Sequence, residues 1–257
     1  MNSLERSLIL KAGYDHGWEV VADEAPEQVV LASALHGARA RITAGTGAGV
    51  WVLTLPPGAI SRELGRAESA RHLGGERFTA VNDAELGQLL TRAARLARTL
   101  PDEPSARFAK AVAKELAATN GTTSATEVER IVRQRVGQNI YRESLMDYWG
   151  GACSVTGIAL PALLRASHAK GWAECATDAE RLNVFNGFLL CAHLDALFDR
   201  HLMTFDDAGL AHFSSLITPE LREALGIGPQ LRIRWLAPDH LPFLHVHRAS
   251  FTERPKA

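Results

Sequence analysis

Apolar residues recur at intervals of three or four in several stretches of the chain, and this spacing predicts helices. The clearest stretch is 84–99, where leucines and alanines form one continuous apolar face. By the same criterion, helices are predicted at 3–16, 84–99, 106–118, 126–148, 219–225 and 240–251. The pair Gly150-Gly151 should end the longest of them, because glycine interrupts a helix and adopts the turn conformations that follow it.

Short runs rich in β-branched and aromatic residues indicate strands instead. Four of them lie near the beginning of the chain, at 18–22, 28–33, 38–43 and 50–55, and predict a small antiparallel sheet followed by a helix-rich stretch. The glycine-rich residues 44–49 have no phosphate-loop lysine and precede a strand, so a hairpin turn is predicted there rather than a nucleotide site. Further strands are predicted at 202–205, 211–214 and 231–236.

Turn-forming residues at 101–105 and 120–124 separate two parts of the chain. They predict an N-terminal α+β domain at 1–100, a helical connector at 101–124 and a second domain at 125–257. The overall class is therefore expected to be α+β. In this prediction, an N-terminal helix and small antiparallel sheet are followed by the connector and by a ββα unit embedded in helices.

Composition limits the classes of protein that this chain can be. It has 257 residues, 46% hydrophobic residues and a formal net charge of −1. A protein of this charge does not hold nucleic acid by bulk electrostatics, so any such contact needs a local patch. The candidate patch is the arginine-rich part of the helix at 126–148, which includes Arg130 and Arg133; a solvated helix face is the alternative. No apolar run is long enough to span a bilayer, and the first eight residues mix acid and base, which predicts a cytoplasmic protein.

Three cysteines, Cys153, Cys175 and Cys191, form no CxxC pair. A disulfide framework is therefore not implied, and buried small side chains are the preferred role. A zinc site built from these cysteines and His193 is the alternative. Trp149 and Trp172 are predicted to be core residues.

The residues with the greatest chemical content lie between 166 and 199. A short strand should end on His168, a second apolar strand should follow Asn186, and a helix should carry His193, Asp195 and Asp199. Phosphodiester hydrolysis needs an activated water and a means to stabilise charge on the phosphate and the leaving oxygen. A neutral histidine can supply the first and a divalent cation the second.

Four short motifs in this region resemble those of the HNH endonucleases, whose active site is a ββα-metal finger. They are Cys153-Ser154-Val155-Thr156-Gly157, Ala166-Ser167-His168, Asn186-Gly187-Phe188-Leu189-Leu190 and Leu197-Phe198-Asp199. The flanking residues 141–145 and 242–248 are also similar to the restriction and anti-phage branch of that family. The resemblance covers roughly residues 125–251 and does not reach the first hundred residues.

The resemblance implies a role for each matching residue. His168 corresponds to the general base, and Asn186 to the asparagine that ties the second strand to the loop of the base. Asp195 corresponds to a metal ligand, for which Mg²⁺ or Mn²⁺ is expected and Zn²⁺ is the alternative. Ser167 departs from the family, which often has a metal-binding aspartate there, so Asp199 or His193 is expected to complete the ligand set. Apart from the resemblance, Lys170 and Arg200 are candidates for contacts with DNA phosphates, and contact with solvent alone is the alternative for each.

The resemblance therefore predicts a metal-dependent endonuclease that hydrolyses DNA, with a restriction-like or anti-phage role. A homodimer is expected, since one finger cuts one strand, and the N-terminal domain is expected to select the target or to bind a regulatory ligand or partner. The residues leave two alternatives open. One is a non-catalytic DNA-binding or scaffold module on a degenerate finger, for which Ser167 argues. The other is a toxin-like effector governed by a partner or a small ligand at the N-terminal sheet.

Overall fold

The structure is a computed structural model that describes residues 1–100, 103–118 and 125–251. The chain divides into two compact units, residues 1–101 and 102–257. Both helices and antiparallel strands are present, so the predicted α+β class is confirmed. Among the described residues, no helix is long and apolar enough to cross a membrane.

The first unit is a six-stranded antiparallel sheet with helices on one side. Its elements are α1 (Ser3–Asp15), β1 (Val20–Ala25), β2 (Gln28–Ala32), β3 (Ala40–Ala44), β4 (Trp51–Thr54), α2 (Ala59–Ala67), β5 (His72–Gly74), β6 (Arg77–Ala80) and α3 (Asp83–Thr99). The strand order is β1-β2-β3-β4-β6-β5. The predicted hairpin turn between β3 and β4 is confirmed by a hydrogen bond from the Gly45 N–H to the Val50 carbonyl, at 2.7 Å.

Alternation along these strands separates a buried face from a polar one. Val29, Ile42, Leu53 and Phe78 lie opposite one another across four strands and are fully buried. Both α1 and α3 contact the sheet, and the Nε1–H of Trp18 donates to the Leu90 carbonyl of α3 at 2.9 Å. Two strands, β5 and β6, lie where only helices were predicted. They are three and four residues long, too short to produce a clear periodic signal.

The second unit places a two-stranded hairpin between helices. Its elements are α4 (Glu103–Ala118), α5 (Ala125–Tyr148), β7 (Leu164–His168), α6 (Asp178–Leu182), β8 (Gly187–Cys191), α7 (Ala192–Asp199), β9 (Met203–Phe205), β10 (Ala211–Phe213), α8 (Pro219–Ala224) and α9 (Leu241–Ser250). The long helix α5 packs against α4 and against both β7 and β8. It ends at a glycine pair with positive φ, as predicted, and the Gly151 N–H donates to the Met146 carbonyl at 2.7 Å.

Aromatic side chains form the core beneath the hairpin. Phe188 of β8 meets Phe198 of α7 edge-to-face, with ring centroids 5.7 Å apart, and also contacts Phe205 of β9. All three are fully buried. The strand predicted at 231–236 is wrong, because this segment contributes only an isolated bridge between Arg232 and Leu210. Its apolar side chains pack in an extended loop instead of pairing along a strand.

Candidate active site

The two predicted strands and the helix form one ββα unit. β7 pairs antiparallel with β8, so that His168 lies opposite Gly187, and α7 begins directly after β8. α7 contacts both strands. The order and pairing place the end of β7 next to the start of β8, and the same unit carries His168, Asn186 and Asp195.

Gly187 allows the two strands to approach closely at this point. Its φ is 156°, and a Cβ atom here would lie 1.9 Å from the Ser167 carbonyl oxygen and 2.3 Å from the Tyr141 hydroxyl. No side chain fits in that space. The packing of β7 against β8 therefore requires glycine at position 187.

His168 is held in one orientation by a hydrogen bond and by ring stacking. Its Nε2–H donates to the Arg181 carbonyl at 2.9 Å, and its ring stacks on Tyr141, with centroids 3.8 Å apart. The hydrogen bond assigns the tautomer in which Nδ1 carries a lone pair. Burial lowers the pKa of His168, although the Arg181 carbonyl and the Asp199 carboxylate each act in the opposite direction. The imidazole is therefore neutral at pH 7 and able to accept a proton.

Asn186 is fully buried and binds the loop between β7 and α6. Its Oδ1 accepts from the Lys170 N–H at 2.8 Å, and its Nδ2 donates to the carbonyls of Lys170 and Glu180, at 3.2 and 3.1 Å. A further contact joins Nδ2 to the Cys175 sulfur at 3.3 Å. With no exposed surface, Asn186 acts on the shape of this loop and has no path to a substrate.

Asp195 lies in the first turn of α7, where it meets Ser167 of β7. The Ser167 Oγ–H donates to Asp195 Oδ1 at 2.5 Å. Because successive side chains of a strand point to opposite faces, Ser167 points toward α7 while His168 points toward α5. Hydroxyl and carboxylate oxygens are hard donors that suit Mg²⁺ or Mn²⁺, which bind few protein groups and complete their shell with water and phosphate.

The other two candidate ligands lie at opposite ends of α7. His193 is partly buried near the start of α7, and Asp199 is exposed at its end. The Asp199 carboxylate raises the pKa of both His168 and His247, so it lies within electrostatic range of both imidazoles. In the described part of the chain, no three His, Cys, Asp or Glu side chains form a metal-binding group.

The three cysteines are buried thiols, of which Cys153 and Cys191 lie next to each other and Cys175 lies apart. Thr156 contacts Cys191 through its hydroxyl at 3.3 Å and Cys153 through its N–H at 3.4 Å, whereas Cys175 contacts Asn186. Burial raises the pKa of the Cys175 thiol. These contacts do not bring the cysteines to His193, so the described residues do not support the alternative of a thiolate zinc site.

The basic residues predicted to contact DNA differ in whether a carboxylate already pairs with them. Arg133 pairs with Asp178, Lys170 pairs with Glu180 at 2.9 Å, and Arg200 is exposed and donates to a backbone carbonyl of its own helix. Arg130 is exposed on α5 and has no hydrogen-bond or ion-pair partner among the described residues.

Several contributors to the site have no signal in the sequence. In the sequence Tyr141 is only part of a flanking similarity, yet in the structure it stacks on His168 and its hydroxyl donates to the Asn186 carbonyl at 2.8 Å. Arg181 acts through its backbone oxygen, which no residue pattern reveals. Trp149 is 1% exposed, which confirms its predicted core position, whereas Trp172 is only partly buried.

Comparison with known families agrees with this geometry. Residues 153–206 match the family model described as HNH endonuclease. The match contains β7, β8 and α7 together with His168, Asn186 and Asp195, so the predicted HNH resemblance is confirmed over this segment and supports nuclease activity in general. The flanks of the predicted resemblance, at 125–152 and 207–251, lie outside the match. A search of curated proteins gives no match to the chain.

Proposed function

We propose that this protein is a metal-dependent endonuclease that hydrolyses DNA phosphodiester bonds, with His168 as the general base. The observation that carries the proposal is the state of the imidazole. Its Nε2–H is bound to the Arg181 carbonyl, and burial lowers its pKa. Its Nδ1 has no hydrogen-bond partner among the described residues, so it can accept a proton from an attacking water. Tyr141 keeps the ring in this orientation by stacking on it.

Asp195 is the proposed principal ligand of the cation, with Ser167 orienting its carboxylate. When bound, Mg²⁺ or Mn²⁺ would stabilise charge on the phosphate and on the departing oxygen. Asp199 and His193, on the same short helix, are the proposed further ligands. Asn186 contributes by holding the loop from Lys170 to Glu180, which leads to the Arg181 carbonyl that fixes His168.

DNA is the proposed substrate because residues 153–206 match the HNH endonuclease model. The chain has a net charge of −1, so phosphate contacts must come from a few residues. Arg130, Arg133, Lys170 and Arg200 are the proposed contacts. A homodimer is proposed on chemical grounds, since two fingers are needed to cut both strands.

We also propose a restriction-like or anti-phage role in which the first unit selects the target or responds to a ligand. The proposal that the first unit binds a ligand is supported by a cavity on the sheet face away from α1 and α3. The cavity has a volume of about 480 Å³, and its lining includes Arg39, Arg41, Asp23 and Glu76. Charged groups of both signs around a cavity of this size suit a small polar ligand or a peptide.

A second candidate function has its own observation. Ser167 donates a hydrogen bond to Oδ1 of Asp195 and, being a serine, adds no second carboxylate to hold a cation. A finger that binds no cation would bind DNA without cutting it. In that case the arginines of α5 form the DNA-binding surface, and a bound cation changes only the stability of the fold.

Cleavage of supercoiled plasmid distinguishes the two functions. Wild type, His168→Ala and Asp195→Asn are compared in EDTA, Mg²⁺ and Mn²⁺, with His212→Ala as a matched control because His212 is an exposed histidine of the same unit. We expect metal-dependent nicking that both site variants lose and the control keeps. Wild-type cutting by His168→Ala would refute the general-base role, and DNA retention without cutting on modified and unmodified plasmid would favour the second function.

A further inference from the structure

A cleft of about 570 Å³ lies beside His168 in the second unit. Its lining includes Glu129, Arg130 and Arg133 of α5, Asp178 and Arg181 of α6, and Trp172 from the loop between β7 and α6. The volume is that of a small-molecule site. The four short motifs that carry the HNH resemblance do not line this cleft, although Trp172, Asp178 and Arg181 lie within the matched segment.

Two lining residues also hold the proposed general base. Trp172 meets the His168 ring edge-to-face, with centroids 5.8 Å apart, and Arg181 accepts the His168 Nε2–H through its carbonyl. A group bound in the cleft therefore contacts residues that themselves contact His168. The position suits a part of the substrate next to the bond that is cut.

The cleft carries positive charge, and two of its guanidinium groups are held in place by contacts within the protein. Arg133 and Arg181 both bind Asp178, and Arg181 is also fixed by the carbonyls of Trp172 and Cys175. The cleft is lined by three guanidinium groups, those of Arg130, Arg133 and Arg181, and by two carboxylates, those of Glu129 and Asp178. Since Arg130 is exposed and lacks a partner among the described residues, it is the group best able to bind a phosphate.

Trp172 gives the cleft an aromatic wall whose position is constrained from behind. A Cβ atom on Gly137 of α5 would lie 2.2 Å from the Trp172 Cη2 atom, so the indole packs directly on the helix backbone. The side chain is only partly buried, which leaves part of it available to a ligand. An aromatic wall with adjacent guanidinium groups is the arrangement by which proteins bind unpaired nucleobases and their phosphates.

We propose that this cleft binds one unpaired nucleotide adjacent to the scissile bond, with its base against Trp172 and its phosphate on Arg130. A base within a duplex would have to leave its stack to enter a cleft of this size. The substrate class would then be DNA with an unpaired nucleotide, in a bulge or a single strand. This inference rests on the proposed nuclease function and specifies which DNA that site prefers.

Binding without cleavage tests the proposal directly. Wild-type protein in EDTA is titrated into labelled oligonucleotides, namely a perfect duplex, the same duplex with one bulged nucleotide and the single strand, and anisotropy is measured. We expect tighter binding of the bulged and single-stranded DNA. Trp172→Leu should reduce the ratio of the affinity for bulged DNA to that for the duplex by about tenfold. Trp172→Phe should keep most of this ratio, because phenylalanine also stacks on a base.

Arg130→Gln is the second variant, since an exposed position on α5 tolerates it without loss of fold. It should weaken binding and reduce the slope of log affinity against log salt by about one. Arg135→Gln is the matched control, because Arg135 lies on the same helix, pairs with Glu115 and does not line the cleft. Equal affinity for duplex and bulged DNA, or equal effects of the two arginine variants, would overturn the proposal even if Trp172→Leu is unstable.

Cleavage of the same oligonucleotides in Mg²⁺ or Mn²⁺ separates this inference from the nuclease function. A binding preference without cleavage upholds the cleft and refutes the nuclease. Cleavage with no preference between duplex and bulged DNA refutes the cleft and leaves the nuclease intact.

Discussion

Ser167 and Asp195, 28 residues apart, are joined by a hydrogen bond of 2.5 Å between the serine hydroxyl and Oδ1 of the aspartate. The bond links β7 to the first turn of α7. Ser167 is 3% exposed, so its hydroxyl has little competition from water. Oδ2 of Asp195 accepts no hydrogen bond from the described residues, which leaves one carboxylate oxygen oriented and the other available to a cation.

Ser167→Ala should reduce metal-dependent cleavage by about 10–100-fold, since loss of a hydrogen bond to a ligating carboxylate commonly has this effect. The concentration of Mg²⁺ or Mn²⁺ that gives half-maximal cleavage should rise, because the Asp195 carboxylate is no longer held in place by Ser167. Initial cleavage rates measured over a metal titration give both quantities. Ser214→Ala, another buried serine of the same unit, is the control. A Ser167→Ala enzyme with wild-type metal dependence would show that Ser167 does not orient the ligand.

Gly187→Ala should unfold or severely destabilise the second unit, by more than about 3 kcal/mol. The added Cβ would meet the Ser167 carbonyl at 1.9 Å, on a backbone with φ of 156°. Gly226→Ala is a matched control, because Gly226 also has a positive φ of 68° but nothing lies within 4 Å of its Cβ position. That variant should lose only about 1 kcal/mol. Equal losses in urea unfolding would mean that the close approach of β7 and β8 is not rigid.

Asn186→Ala should cost at least about 2 kcal/mol, because the Lys170 N–H and two carbonyls lose their buried partner. Asn183→Ala should cost less, since Asn183 is only partly buried and accepts a single hydrogen bond from the Phe185 N–H. Thermal unfolding of both variants provides the comparison. Faster hydrogen exchange in the 169–181 loop of Asn186→Ala alone would support a positioning role, and unchanged exchange would contradict it.

His247 should make the fold sensitive to acid. Burial lowers its pKa from 6.5 to about 4, against the opposing effect of its hydrogen bond to the Phe198 carbonyl. The unfolded chain therefore binds a proton at His247 at a higher pH than the folded protein does. The resulting stability is fully present above about pH 6.5 and is lost as the pH falls toward 4, with a total of roughly 3 kcal/mol.

Urea unfolding at pH 7.5 and pH 5 measures this loss for wild type and for His247→Gln, which cannot titrate. The variant should lose less stability between the two pH values, whatever its absolute stability. Parallel pH dependences for wild type and His247→Gln would assign the acid sensitivity to other groups, such as His168, whose pKa burial also lowers.

The order of chemical groups along the chain could be predicted from the sequence because each is tied to a local pattern. A short apolar strand follows Asn186-Gly187, and helical spacing begins at 192, so β8 and α7 were both expected where they occur. The spacing between His168, Asn186 and Asp195 also carried the HNH resemblance that the family match confirms for residues 153–206. Local periodicity and short motifs depend on neighbours a few residues apart, and a sequence displays these directly.

The partners of those groups were decided only by tertiary structure. Tyr141 lies 27 residues before His168, and Ser167 reaches Asp195 across two elements, so neither pairing follows from periodicity. The same limit explains the wrong strand at 231–236, where an apolar run found only one bridging partner. Hydrogen bonds and ring stacking form between atoms that folding brings together, whereas sequence patterns record only which face of an element is apolar. The chain alone thus determines which chemistry is present, and the packing of α5, β7 and α7 determines how each group is oriented and charged.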